Sequence, residues 1–409
     1  MAAICLSAVL AVVLAGCDAE STPSTPSSIS ASSECGTLPS RPPQDPDQTL
    51  ATISQRAAYN GWPYPVRRST LADWKPKGTG PYTVGVIYDG TANPFQAASF
   101  QAIQDLLRRS PAVGNVIADA TESGNPTRQI QAYQSMVNRG VDLIVLEPSS
   151  APAFVARTRA ALDRGIATLV LISVLDDPSV VNYAPNVYTS AGAALAQFLK
   201  LQGGRGRLLG VHGIRATEVD RSTWVSFRDV LAQCPDVELV GEISTDFTPP
   251  GVRAAVLQYL ATHPGKIDGV FHTAIMGSSI IGAFQQAGRP VPPVTAMAAQ
   301  KGELAYWAAH AGEGYDSAGF AGGPVAFADG ATRIALRMLA GQGPRTNMIP
   351  WPQPQITAAN LSQYVQPQWT LDTPGTVEQP AATYWADNDL DSLFTHPDRR
   401  TDGSPAPVR

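Results

Sequence analysis

From Pro81 onward, short unbroken runs of Val, Ile and Leu alternate with segments of helical spacing, and this alternation restricts the fold more than any other feature. A strand that is apolar on both faces must be covered on both faces, as in parallel sheets layered with helices. Tyr82–Tyr88 (YTVGVIY) is such a run, as are Asn115–Ala120, Asp142–Leu146, Thr168–Val174, Arg207–Val211, Val237–Ile243 and Asp268–Phe271, with a further strand at Val294. Between them the apolar residues recur at helical intervals over 95–109, 126–138, 152–163, 191–201, 221–232 and 249–262. A helix ending at Ala287 and two starting near Lys301 and Pro324 complete the series. The connections are short, as right-handed βαβ crossovers allow. So many strands in 409 residues predict two lobes rather than one sheet, and the pattern stops after Pro350.

Composition excludes several classes. With 44% hydrophobic and 15% charged residues, the chain carries enough apolar material for a large core and cannot be disordered throughout. The net charge of −5 and the lack of a basic run argue against a nucleic-acid partner, which needs clustered phosphate-neutralising side chains.

The N-terminus predicts where the protein resides. The apolar run from Ala2 to Gly16 falls short of the roughly 20 residues of a spanning helix and has the length of a signal-peptide core. It ends in Leu14-Ala15-Gly16-Cys17, which resembles the lipobox of bacterial lipoproteins. That resemblance implies removal of residues 1–16, a lipid on Cys17, and a protein anchored to the cell membrane, facing the periplasm or the cell exterior. The Ser/Thr/Pro-rich stretch 17–50 reads as a flexible tether. Once Cys5 and Cys17 are set aside, Cys35 and Cys234 remain, either as one disulfide or as two separate thiols.

Enzyme signatures are missing. The sequence has no GxSxG elbow, no HExxH and no GxxxxGK[ST] motif. Asp387, Asp389 and Asp391 have the opening spacing of a calcium loop, but Ser392 replaces its Gly and Asp398 its bidentate Glu. Neither a metal, a cofactor nor a catalytic set is expected.

At TVGVIYDGTANPF (Thr83–Phe95) the sequence resembles the type I periplasmic sugar-binding proteins of ABC transporters, of the ribose/galactose-binding type. The likeness recurs in order at Gly124-Asn125-Pro126, Gln129 and Gln134, then at RGVDLIVLEPSSAPA (Arg139–Ala153) and DRGIATLVLIS (Asp163–Ser173). APNVYTSAG (Ala184–Gly192) and HPGKIDGVF (His263–Phe271) follow. It implies an α/β fold of two Rossmann-like lobes with parallel sheets, joined by a three-crossing hinge that closes on a ligand. Lobe 1 is expected at 81–185 plus 321–349, lobe 2 at 186–320 plus 350–365, and an irregular C-terminal tail at 366–409. The implied activity is capture of a small solute, a sugar or polyol, for an ABC permease, by a monomer that performs no chemistry. The alternative is a sensory receptor reporting to a histidine kinase or chemoreceptor.

Ligands of open α/β sheets bind beyond the carboxyl ends of the strands. Asn93 and Phe95 lie there after the first strand; the resemblance implies that Asn93 contacts the ligand and that Phe95 lies against a sugar face. Asn93 is equally a good N-cap before Pro94, and Asp89 either accepts hydroxyls or caps its loop. The charged partners usual in the family are replaced: Ile172-Ser173 stands for Asp-Arg after the fourth strand, and Thr273-Ala274 for Asn-Asp. Arg221 lies two residues before the usual Arg position, about 200° around the helix. A different polar set is therefore expected, drawn from Glu147, Ser173, Asn186, His212, Trp224 and His272, with Gln300 and Phe320 near the later positions.

Overall fold

A computed structural model describes residues 35–120 and 124–399. The signal-like run, Cys17 and the first part of the tether lie outside the described residues, as does the end from residue 400.

The alternation is realised, although Val294 makes a single parallel bridge rather than a strand. β1 (Tyr82–Tyr88), α1 (Pro94–Arg109), β2 (Val113–Ala120), α2 (Pro126–Arg139), β3 (Leu143–Leu146), α3 (Val155–Asp163), β4 (Ala167–Leu171) and β5 (Val181–Pro185) build lobe 1. The chain passes into lobe 2 with α4 (Val187–Leu201), β6 (Gly206–His212), α5 (Glu218–Leu231), β7 (Val237–Ser244), α6 (Pro249–Thr262) and β8 (Gly269–His272). α7 (Gly277–Gln286), α8 (Lys301–His310) and β9 (Gly319–Phe320) complete that lobe. α9 (Pro324–Leu339) and β10 (Met348–Trp351) return to lobe 1, and β11 (Gln355–Ile356) and the short α10 (Asp387–Ser392) follow.

Lobe 1 holds a six-stranded sheet in the order β10-β5-β4-β3-β1-β2, parallel at every pairing. Its two faces bury separate apolar clusters. Val84, Val86, Leu143, Leu169 and Ile334 belong to one, and Ile87, Ile144, Leu146, Val170 and Tyr133 to the other. Alternate residues of one strand serve opposite faces, which is why these strands read as unbroken apolar runs. Lobe 2 repeats the plan with β7-β6-β8, extended by parallel bridges from Val270 to Val294 and from Ala296 to Gly319. The helices begin where the sequence signals them: Asn93, Asn125, Thr217 and Thr248 each accept a bond from a backbone N–H in the first turn.

Three crossings join the lobes, at 185–187, 320–324 and 351–355. Two more are added by the segments read as a flexible tether and an irregular tail; the first reading needs correction, and the second segment is mostly irregular but packed. From Cys35 the supposed tether is packed: Cys35 is disulfide-bonded to Cys234, Leu38 packs into lobe 2, and Leu50 is buried in the lobe 1 core. The supposed tail likewise packs, with Val377 in a lobe 2 cluster and Trp385, Leu390, Leu393 and Phe394 in the lobe 1 core. Their apolar residues are irregularly spaced and anchor one at a time, so no periodicity announces them.

Candidate functional site

The carboxyl ends of β1 and β3 lie side by side, and the residues that follow them form a polar cluster. Gln96, in the first turn of α1, ties it together: its Nε2 donates to Glu147 Oε1 at 3.0 Å and to the Asp89 carbonyl at 3.3 Å. Asn93 caps the same helix, accepting from Gln96 N at 2.8 Å and donating its own amide to Gln96 Oε1 at 2.7 Å. Asp89 Oδ1 accepts from Gly124 N at 2.8 Å, which links the β1 loop to the start of α2. From α2, Gln129 donates to the Glu147 carbonyl and accepts from Ser149, fixing the turn after β3. Glu147 is buried, and burial pushes its carboxyl up to about 7, against the bond from Gln96 and with help from the Asp89 charge. Burial also raises Asp89, opposed by its bond from Gly124. A carboxyl poised near neutral pH both donates and accepts, as does a solute hydroxyl.

The lobe 2 side is built on His212, the last residue of β6. Its ring stacks on Trp224, with centroids 3.5 Å apart and planes 8° from parallel. Nδ1 lies 2.8 Å from Asp220 Oδ2 and Nε2 3.1 Å from Glu242 Oε2. Asp220 also accepts from Gly213 N at 2.8 Å and from the Thr273 hydroxyl at 2.5 Å, and Trp224 donates to that same hydroxyl. These groups satisfy one another and form a rigid wall. His272, at the end of β8, is fully buried with Nε2 3.4 Å from Glu303 Oε1, and its Nδ1 has no hydrogen-bond partner among the described residues.

Backbone strain marks the same edges. Ile172, Phe247, Ile275 and Ala298 adopt φ of 63°, 63°, 49° and 47°, a region that side chains with a Cβ rarely occupy. Ile172 follows β4, Phe247 follows β7 and Ile275 follows β8. Each such residue costs about 1–3 kcal/mol, and strain of this kind clusters at binding and switching sites. A crevice there is lined by Ile172, Val174 and Asn186 with Glu218, Val219 and Ser222 of α5. A second cavity of about 400 Å³ lies among Asn186, Ser190, Trp351, Gln353, Tyr384 and Trp385, along the hinge.

The predicted site residues thus divide. Asp89, Asn93 and Glu147 come together through Gln96, which sequence reasoning missed although Asn93–Gln96 has capping-box spacing. Ser173 follows the strained Ile172, its N–H held by the Leu171 carbonyl at 2.7 Å. Phe95 packs on Phe327 and Trp351, at centroid distances of 5.7 and 5.9 Å, against the lobe 1 core. Asn186 spends both amide hydrogens on the Ala58 and Asn60 carbonyls. Arg221 is exposed and bonded to Glu218 at 2.7 Å and to the Ala216 carbonyl. Gln300 caps α8 and accepts from Ser278 N at 3.0 Å. Phe320 is buried in the lobe 2 core. Among the described residues no group of three His, Cys, Asp or Glu is arranged to hold a metal ion, and no helix is long and apolar enough to cross a membrane.

Two parallel α/β lobes, joined at a hinge toward which strand ends of both are turned, define the type I two-lobed binding-protein class. The chain belongs to the periplasmic binding protein domain family, whose model matches residues 84–343. That family comprises solute-binding proteins rather than enzymes and works outside the cytoplasm. A curated xylitol-binding protein of Mycolicibacterium smegmatis is 25% identical over 193 residues, 46% of this chain and 54% of that protein. The chain therefore matches about half the length of that relative. Among solved structures, an ABC transporter solute-binding protein from Thermobispora bispora is similar, with a TM-score of 0.62, 19% identity, and coverage of 73% of this chain and 99% of that one. One from Mycobacterium smegmatis with bound glycerol has a TM-score of 0.62 and 18% identity, covering 73% and 100%. One from Bacillus halodurans with bound myo-inositol has a TM-score of 0.61 and 16% identity, covering 70% and 98%.

Proposed function

We propose that this chain captures a small uncharged polyhydroxylated solute, a sugar or polyol, between its lobes and presents it to an ABC permease. The Asp89–Gln96–Glu147 cluster at the carboxyl edges of β1 and β3 carries the reading. Its groups are acceptors and amides, and Glu147 is held partly neutral near pH 7. Arg221, the nearest candidate for a solute carboxylate, is already occupied by Glu218. Asp89, Asn93, Glu147 and Ser173 contribute from lobe 1, and His272 from lobe 2, while Trp224 and His212 supply a rigid wall. Phe95, Asn186 and Gln300 support the neighbouring backbone. The xylitol-, glycerol- and myo-inositol-binding relatives agree with this class of solute. We further propose that the protein is monomeric and that lipid on Cys17 holds it at the membrane, since the lipobox-like Leu14–Cys17 follows a signal-like core.

A thermal-shift panel of xylitol, glycerol, myo-inositol and D-arabinose tests the reading. A true solute at 100 times its Kd adds about 2.7 kcal/mol to folded stability, and Asp89→Asn should weaken that solute at least tenfold. Failure of every sugar and polyol to shift the melt overturns it. Cys17→Ser should release the protein from membranes, and unchanged fractionation refutes the anchor.

A further inference from the structure

The segment from Cys35 to Trp74 lies outside the family match and touches both lobes. Its start is pinned to lobe 2. Cys35 is disulfide-bonded to Cys234, Arg41 donates to Asp229 of α5 at 2.8 Å, and Tyr188 of α4 donates to the Pro39 carbonyl at 3.1 Å. Its middle is pinned to lobe 1: Leu50, Tyr59, Val66 and Leu71 are buried there, and Tyr59 donates to the Met348 carbonyl at 2.8 Å. At Gly61 the strap runs against the lobe 2 ring of Tyr188 so closely that a Cβ would stand 2.0 Å from it, and φ there is +67°. The strap then reaches back. Tyr64 packs on the lobe 1 core and donates its hydroxyl to Glu218 Oε2, at 2.6 Å, on the first turn of α5. Arg221 and Ser222 hold the same carboxylate from within the helix, so Glu218 meets Tyr64 as a fixed acceptor. Trp62, Pro63 and Tyr64 line the crevice between Ile172 and α5.

A hinge opens by changing a few torsions in its crossing segments. A strap fixed at one end to lobe 2 and in the middle to lobe 1 must deform whenever the lobes part, and the Tyr64–Glu218 bond lies across the opening edge. We propose that this strap is an intramolecular clasp, which holds α5 against the carboxyl edge of β4 and sets how often the lobes separate. Tyr64 is thereby a positioning residue for the solute site. Burial and the neighbouring Glu218 raise its phenol, which stays a donor across the physiological range. The consequence for solute affinity rests on the proposed function; the clasp itself does not.

The test is therefore first made without solute. Fluorophores at exposed Asp163 of α3 and Gln286 of α7 report the lobe separation of single molecules of the mature chain. Tyr64→Phe keeps the ring and removes the bond, and Cys35→Ser removes the covalent link at the pinned end, leaving the Arg41 and Pro39 contacts. Each should raise the ratio of separated to approximated molecules, Tyr64→Phe by roughly tenfold, equivalent to about 1.4 kcal/mol. Circular dichroism confirms that both variants are folded. A ratio unchanged from wild type in both overturns the clasp, whatever the solute panel gives. A raised ratio with no binding of any panel solute sustains the clasp and defeats the solute reading. With a binding solute in hand, Tyr64→Phe should weaken it by a similar factor.

Discussion

Glu147 makes the stability of this protein depend on pH in a direction opposite to that of most carboxylates. Its carboxyl ordinarily titrates at 4.5 and is raised to about 7 in the folded chain, chiefly by burial. Between those values the folded state holds a proton that the unfolded state has released. Stability contributed by the neutral form is fully present below pH 4.5 and is lost as pH rises through 7. At 1.36 kcal/mol per unit, the loss amounts to about 3 kcal/mol. Glu147→Gln keeps a neutral side chain of nearly the same shape beside Gln96 Nε2 and does not titrate. The variant should match wild type within about 1 kcal/mol at pH 4.5 and exceed it by about 3 kcal/mol at pH 8. Urea unfolding of both proteins at half-unit steps from pH 4.5 to 8 reads this directly, because other titrating groups largely cancel in the difference. A difference that stays constant across the range refutes the reasoning.

Two further outcomes follow from the same geometry. Phe95→Ala removes a half-buried ring from between Phe327 and Trp351 and should cost about 2–3 kcal/mol, less than the ~3–5 kcal/mol of a fully buried Phe; an unchanged thermal midpoint refutes this. Asp220→Ala strands two buried partners, the Thr273 hydroxyl and His212 Nδ1, and leaves the Gly213 N–H only its longer 3.3 Å bond to that hydroxyl, so at about 1–3 kcal/mol for each unsatisfied group it should cost at least about 2 kcal/mol. A denaturant midpoint showing a loss below about 1 kcal/mol would mean that water replaces the carboxylate.

The lobes were legible because their strands are buried on both faces, and such a strand writes its environment as an unbroken apolar run. β1 lies at Tyr82–Tyr88 as its composition predicts, and α2 starts at Pro126 behind its Asn125 cap. β5 and β10 were missed: VNYAP carries Asn and Pro, and MIPW is four residues long with Pro at its centre. Both are paired only because the sheet is already there to receive them. The strap and the C-terminal segment were illegible for a different reason. Tyr59, Trp62, Val66 and Leu71 fill separate holes in the core of a distant part of the chain, so their spacing follows the shape of that core and no local period. In the site, strand ends could be placed from sequence, but the occupation of a polar side chain could not. Asn186 looked available for a ligand, and only the strap, itself unrecognised, reveals where its amide goes. The strain at Ile172 and Ile275 leaves no trace in residue type, since a β-branched residue is the last that φ above zero would suggest.

The position of β10 and α9 also orders events in time. Tyr59 waits for the Met348 carbonyl, 289 residues further along, and Cys35 for Cys234, 199 residues away. Contacts so distant in sequence form only after the cost of closing the intervening loop has been met. A chain emerging from its N-terminus therefore places the strap in steps: its bonds to Pro178 and Asn186 can form early, the link to Cys234 only once α5 has been made, and the bond to Met348 last. Lobe 1, begun first, lacks its edge strand and the helix against α1 until residue 351 has appeared. Lobe 2, made in the middle from a nearly continuous stretch, is the part able to finish first. The strap, which precedes both lobes in the sequence, is thus completed only with the last strand of lobe 1, and an oxidant that acted before Cys234 emerged would find Cys35 without its native partner.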